Sequence, residues 1–143
     1  MIERRIVTDA LAALLGTATG KPCGIGALPL VGGKPAETPY TVLRSLTLSL
    51  AGAPFTDLHE DASTHYQVDC IARQHTQAEW LADRVRTGVL GRDAAGQWLR
   101  PLSIPGWSCY ARGVSLDAGP EDDPAAAIVS YVIRFQLDWT QAG

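Results

Sequence analysis

One segment of this chain restricts its possible folds more than any other. From Val129 to Trp139 the residues alternate. Val129, Tyr131, Ile133, Phe135, Leu137 and Trp139 form one apolar set, and Ser130, Val132, Arg134, Gln136 and Asp138 form a mostly polar one. A period of two puts each set on its own face of a β-strand. The strand therefore belongs to a sheet with one covered and one uncovered face. Burying each large apolar side chain stabilises a fold by about 1.5–3 kcal/mol, so this strand is expected to be a principal part of the core.

Other segments supply partners for it. Ile6, Val7, Ala10, Leu11 and Leu14 recur at helical spacing, which predicts a first helix over Ile2–Leu15 with Gly16 as its C-terminal cap. The stretch Thr17–Pro39 is rich in Gly and Pro and admits a short strand near Cys23–Leu30. Tyr40–Leu50 reads as a longer strand. Thr41, Leu43, Ser45, Thr47 and Ser49 lie on one side of it, and Tyr40, Val42, Arg44, Leu46, Leu48 and Leu50 on the other. Ala51–Ser63 reads as a polar loop and Thr64–Arg73 as a strand with Tyr66, Val68, Cys70 and Ala72 facing one way.

Thr76-Gln77-Ala78-Glu79 has the form of a capping box and opens a second helix. Its buried stripe is Ala78, Leu81, Ala82, Val85 and Val89, and Gly88 and Gly91 are available to stop it. A long connection, Gly91–Gly106, leads to a strand at Trp107–Leu116, and Asp117–Pro124 reads as an acidic turn. The order is thus α-β-β-β-α-β-β. The expected fold is α+β: a mostly antiparallel sheet of four to five strands with two helices on one face, forming a single domain over residues 1–143.

Composition excludes several kinds of partner. The 143 residues are 46% hydrophobic and 19% charged, as in a globular domain. The net charge of −3 provides no basic field for nucleic acid or an anionic membrane. No apolar run approaches the ~20 residues needed to span a bilayer. The N-terminal Met-Ile-Glu-Arg-Arg-Ile lacks a signal-peptide core, which predicts a reducing cytoplasm. The three cysteines, Cys23, Cys70 and Cys109, are far apart and read as small buried hydrophobes.

Catalytic and ligand-binding patterns are weak. Asp57, His59, Glu60, Asp61 and His65 are rich in metal-ligating types but lack the H-E-x-x-H spacing of a helical site; a solvated loop is the preferred reading. There is no G-x-S-x-G nucleophile elbow. Gly24 and Gly26 do not continue into a phosphate-binding pattern. The acids Asp117, Glu121, Asp122 and Asp123 do not follow calcium-loop spacing. No cofactor is expected, and no enzymatic activity.

The four tryptophans carry more information. Trp107 and Trp139 are expected in the core. Trp80, beside Arg84 on the second helix, and Trp98, with Leu99 and Arg100 in the long connection, lie off the apolar stripes. They serve either as interface aromatics or as peripheral core packing. Phe55, Asp57, His59 and Glu60 in the middle loop join them as expected contact residues.

Three further features carry a resemblance. A strand, Tyr66-Gln67-Val68-Asp69-Cys70-Ile71-Ala72, runs through a short polar turn into Thr76-Gln77-Ala78-Glu79-Trp80-Leu81-Ala82-Asp83-Arg84-Val85-Arg86. A strand with Tyr110-Ala111-Arg112-Gly113-Val114 precedes a final strand with Tyr131-Val132-Ile133-Arg134-Phe135-Gln136-Leu137. An N-terminal helix leads into a Gly/Pro-rich region. In this order the chain resembles the tail terminator, or tail completion, proteins of long-tailed bacteriophages, the lambda-type minor tail protein family.

The resemblance implies a virion assembly protein without catalytic residues. It implies copies that close into a ring, expected to be a hexamer, on the tail tube. Such a ring stops polymerisation of the major tail tube protein and presents a surface to the head–tail connector protein. The implied location is the head-proximal end of the tail, with assembly in the host cytoplasm, no sequence-specific nucleic-acid binding and no membrane. A ring uses one heterologous contact repeated to closure, and paired sheet edges can supply it. The alternatives are another head–tail joining or neck protein and, from a different class, a small enzyme or ligand-binding domain, which a deep pocket with convergent titratable groups would favour.

Overall fold

A computed structural model describes residues 1–51 and 61–142 of the chain. The elements in order are α1 (Arg4–Thr19), β1 (Cys23–Ile25), β2 (Leu30–Val31), β3 (Lys34–Pro35), β4 (Tyr40–Ala51), β5 (Asp61–Ala72), α2 (His75–Leu90), β6 (Trp107–Asp123) and β7 (Ile128–Gln141). Five strands form one sheet in the order β1-β4-β5-β7-β6, and β2 and β3 form a separate hairpin. The β4–β5, β5–β7 and β6–β7 pairs are antiparallel, whereas β1 runs parallel to β4 over Thr41–Leu43. The α+β architecture and the expected order of the principal elements hold, with the β2–β3 hairpin as an addition.

The final strand behaves as its alternation requires. Val129, Tyr131, Ile133, Phe135, Leu137 and Trp139 are all buried, and they join one cluster with Val7, Leu11 and Leu15 of α1 and Leu81, Val85 and Val89 of α2. Both helices therefore cover the same sheet face. The predicted stripe of α2, Ala78, Leu81, Ala82, Val85 and Val89, is buried throughout. Within this core Trp139 Nε1 donates to Thr64 Oγ1 at 3.0 Å, and Thr8 Oγ1 lies 2.9 Å from the Tyr66 hydroxyl.

Several boundaries differ from expectation, each for a physical reason. α1 continues past Gly16 to Thr19, because Ala18 and Thr19 add a further buried turn. Its cap is Gly20, at φ 68°, whose N–H donates to the Gly16 carbonyl at 2.9 Å. The capping box at Thr76 does not form: α2 starts at His75 after the extended residue Gln74, with no side-chain cap. Gly88 does not stop α2. It lies inside the helix where α1 and α2 cross, and a Cβ placed on it would sit 2.5 Å from the Ala18 Cβ. Its role is to let the two backbones approach.

The expected division of β4 into two faces fails halfway along. A bulge between Ser45 and Leu48 interrupts the register with β5, and a one-residue slip exchanges the faces of a strand. Thr41 and Leu43 are fully buried, and past the bulge Leu48 packs on the same helix-covered cluster. Asp61–Ser63 belongs to β5 and not to the preceding loop. The acidic segment Asp117–Asp123 is no turn but the second half of β6. The chain reverses at Pro124–Ala127 instead, where Ala127 has φ 54°. An edge strand tolerates Asp, Gly and Pro because its outer backbone groups face water.

Candidate functional site

The sheet face away from the helices carries a hydrogen-bonded polar layer. Arg44 Nε of β4 donates to Asp69 Oδ2 of β5 at 2.8 Å, and Gln67 Nε2 donates to Asp69 Oδ1 at 2.8 Å. Arg134 Nε of β7 donates to Gln67 Oε1 at 2.9 Å. Towards the other end of the strands, Asp138 accepts from Ser63 Oγ at 2.8 Å and from Gln136 Nε2 at 3.0 Å. The Arg44–Asp69, Arg134–Gln67 and Ser63–Asp138 bonds run across strands and tie β4, β5 and β7 together, while Gln67–Asp69 and Gln136–Asp138 link neighbours along one strand.

Both lateral edges of the sheet are open over long stretches. β6 is 17 residues long and lies outermost on one side. Among the described residues no strand pairs with its outer edge, and Tyr110 (57% exposed), Val114 and Leu116 stand there in solvent. On the opposite side β1 is only 3 residues long and pairs with β4 at Thr41–Leu43, which leaves β4 from Arg44 to Ala51 without an outer partner among the described residues. Unpaired strand edges of this kind are templates for pairing with another chain.

The long connection between α2 and β6 packs against the start of β6. An antiparallel bridge joins Arg92 to Trp98. The Arg92 and Arg112 guanidinium carbons lie 3.9 and 4.5 Å from the centre of the Trp98 ring. Arg112 is only 9% exposed. Its Nη1 donates to the Val89 carbonyl at 3.0 Å, while Nε and Nη2 are buried without a hydrogen-bond partner. Burial lowers its pKa, and the nearby Arg92 charge acts in the same direction against the raising influence of Cys109. No carboxylate pairs with Arg92, Arg100 or Arg112 among the described residues. A groove of about 620 Å³ lies beside this stack, bordered by Trp98, Leu102, Ile104, Trp107, Tyr110 and Arg112.

The expected contact residues fall in three places. Trp98, Leu99 and Arg100 share the connection: Trp98 is half-buried in its arginine stack, Leu99 is 53% exposed, and Arg100 borders a second groove against Ala10, Ala13 and Leu14 of α1. Trp80 and Arg84 lie together on the outward side of α2, with the guanidinium carbon 5.4 Å from the ring centre and Trp80 39% exposed. Phe55, Asp57, His59 and Glu60 lie outside the described residues. Trp139 is a core residue as expected, and Trp107 packs on the core from its rim.

Sequence reasoning missed the lower half of β6 and an apolar cluster around the β2–β3 hairpin, where Ile25, Leu28, Leu30 and Val31 are all exposed. The Gly32-Gly33 pair was the available signal for that hairpin: both residues have positive φ, as a two-residue hairpin turn requires.

The thiols are set up for inertness. Burial, reinforced by the charge of Asp69, pushes the Cys70 pKa up to about 12. Burial also raises Cys23 and Cys109 above the ordinary thiol value. Thiolate, the nucleophilic and metal-binding form, is therefore scarce at neutral pH. No grouping of three or more His, Cys, Asp and Glu with metal-binding geometry occurs among the described residues, and no described helix is long and apolar enough to cross a membrane.

No protein-family model and no curated protein sequence matches the chain. Among solved structures it is similar to a chain from the structure titled "Virion of native gene transfer agent (GTA) particle", with a TM-score of 0.54 and 18% sequence identity. The match covers 91% of this chain and 84% of that one. At this identity the likeness is one of fold, and it extends over nearly all of the architecture described above.

Proposed function

We infer that this chain is a structural subunit of a phage-like virion and, more specifically, a tail terminator. In this role, copies form a closed ring, expected to be a hexamer, at the head-proximal end of the tail tube. The ring ends polymerisation of the major tail tube protein and offers its other side to the head–tail connector. The observation that carries the reading is the likeness in fold, across 91% of the chain, to a chain of the gene transfer agent virion. Two open sheet edges on opposite sides of the subunit support it, because a ring needs two different complementary surfaces on each copy.

Trp80, Arg84, Trp98, Leu99 and Arg100 are the described residues expected to meet neighbouring proteins. The role is assembly by shape and contact and involves no bond-making step. Another head–tail joining protein would share these requirements, and the position of the protein on the particle separates the two. The test is to size the protein in solution, alone and with purified tail tubes, and to image the tube tips by electron microscopy. Rings at one tip and arrested tube growth are the expected result. Protein that never appears at a tip and never alters tube length would overturn the reading.

A further inference from the structure

We propose that the ring, on the terminator reading above, is held by a continuous antiparallel sheet, in which β6 of each copy pairs with the exposed edge of β4 in the next copy, with the polar sheet face turned to the lumen. Strand direction is the first argument. β4 is antiparallel to β5, β5 to β7, and β7 to β6, so β6 and β4 run in opposite directions. When copies stand side by side in one orientation, the β4 of one copy approaches the β6 of the next antiparallel, and the alternation continues across the boundary without a break.

Height along the strands is the second argument. β6 has bulges between Cys109 and Ala111, between Val114 and Leu116, and between Asp117 and Pro120, so its regular stretch here is Ala111–Val114. Beyond its own bulge, β4 is regular over Leu48–Ala51. The registers bring these two stretches together over two levels: Leu48 pairs with Thr64, Thr64 with Leu137 and Leu137 with Arg112, and Ser49 pairs with Ser63, Ser63 with Asp138 and Asp138 with Ala111. Lower down, Leu43 pairs with Val68, Val68 with Ile133, and Ile133 with Asp117. At that level β1 occupies the outer edge of β4, and β6 departs from regularity between Asp117 and Pro120. The two edges thus match best at the Leu48/Arg112 and Ser49/Ala111 levels, and at the Leu43/Asp117 level β1 closes one edge while β6 bulges on the other.

The third argument is the face. Joining the sheets edge to edge leaves the helices on one side and the Arg44–Asp69–Gln67–Arg134 layer on the other. A sheet that closes with its helices outside presents that layer to the lumen. Within it Arg44 is paired with Asp69, and Arg134 is held in place by the neutral Gln67.

Cysteine cross-linking tests this directly. Ser49 and Ala111 belong to one cross-sheet row on the uncovered face, and the three native thiols are held protonated by burial. The full chain carrying Ser49→Cys with Ala111→Cys, and a second version with Ser49→Cys and Gly113→Cys to cover the adjacent register, is assembled on purified tail tubes and mildly oxidised. At least one double variant is expected to give a covalent ladder that ends at the ring size. A mixture of the matching single variants is expected to stop at dimers, and each single variant alone and the unsubstituted chain to stay monomeric. Rings at tube tips with no ladder from either pair overturn this inference and leave the terminator reading standing. Dimers from Ala111→Cys alone overturn it as well, because β6 then meets itself across a two-fold axis. Absence of the protein from tube tips overturns the terminator reading and this inference with it.

Discussion

The two faces of the sheet obey different rules, although they are made by the same strands. On the helix-covered face Tyr66, Val68, Ile133, Phe135, Leu137 and Trp139 are buried against two helices. On the uncovered face the residues between them are tied sideways by hydrogen bonds, from Arg44 through Asp69 and Gln67 to Arg134. The first arrangement removes apolar area from water and carries stability. The second spends no apolar area and keeps a solvated surface in a fixed pattern. Stability is thereby carried by one side of the layer, while the other side stays in water.

Substitutions at neighbouring positions of β7 put that division to its hardest trial. Phe135→Ala opens a cavity in a fully packed site and is expected to cost about 3–5 kcal/mol, read as a lowered midpoint in urea. An equal loss from Arg134→Ala, one residue away on the other face, would break the distinction. At the helix crossing, Gly88→Ala drives a methyl group into Ala18 and is expected to cost about 1–3 kcal/mol. The double variant Gly88→Ala/Ala18→Gly should recover much of that loss, which places the cause in this contact.

Cys70 sharpens the comparison through pH. It stays protonated in the folded chain up to about pH 12, because burial and Asp69 disfavour its thiolate, whereas an exposed thiol titrates near 9.0. The unfolded chain loses this proton first as pH rises. The contribution is therefore fully present below about pH 9 and falls at up to about 1.4 kcal/mol per pH unit between the two values. Urea melts from pH 8 to 10.5 should show that slope, and Cys70→Ala should reduce it. The smallest effect belongs to the uncovered face: Arg44→Gln, which removes the charge of the half-exposed Arg44 and leaves an amide to reach the mostly buried Asp69, is expected to cost about 1 kcal/mol while the chain stays folded.

How much of this could be read beforehand follows the same division. β7 was legible because every second residue is large and apolar, and so was the stripe of α2. Asp117–Asp123 was not, because the rules that mark Asp, Gly and Pro as turn formers hold for paired strands, and an edge strand escapes them. The face exchange in β4 depends on one bulge, and nothing in Ser45–Leu48 announces it. Gly88 looked like a stop, because a close helix crossing and a helix end ask for the same residue. The sequence placed Trp98, Leu99 and Arg100 in the connection between α2 and β6, where the structure has them. The meeting of Trp98 with Arg112 was hidden, since it exists only once β6 is folded beside α2.

In the ring proposed above, the interruptions in β6 would also set a tempo for assembly. With the regular parts of the two edges level only at Arg112 with Leu48 and Ala111 with Ser49, two copies meeting in free solution would have too short a seam to stay together. A collar built from such seams comes apart readily at every stage but the last, when the closing copy is gripped from both sides at once. Completion, and not the first encounter, becomes the step that is hard to undo.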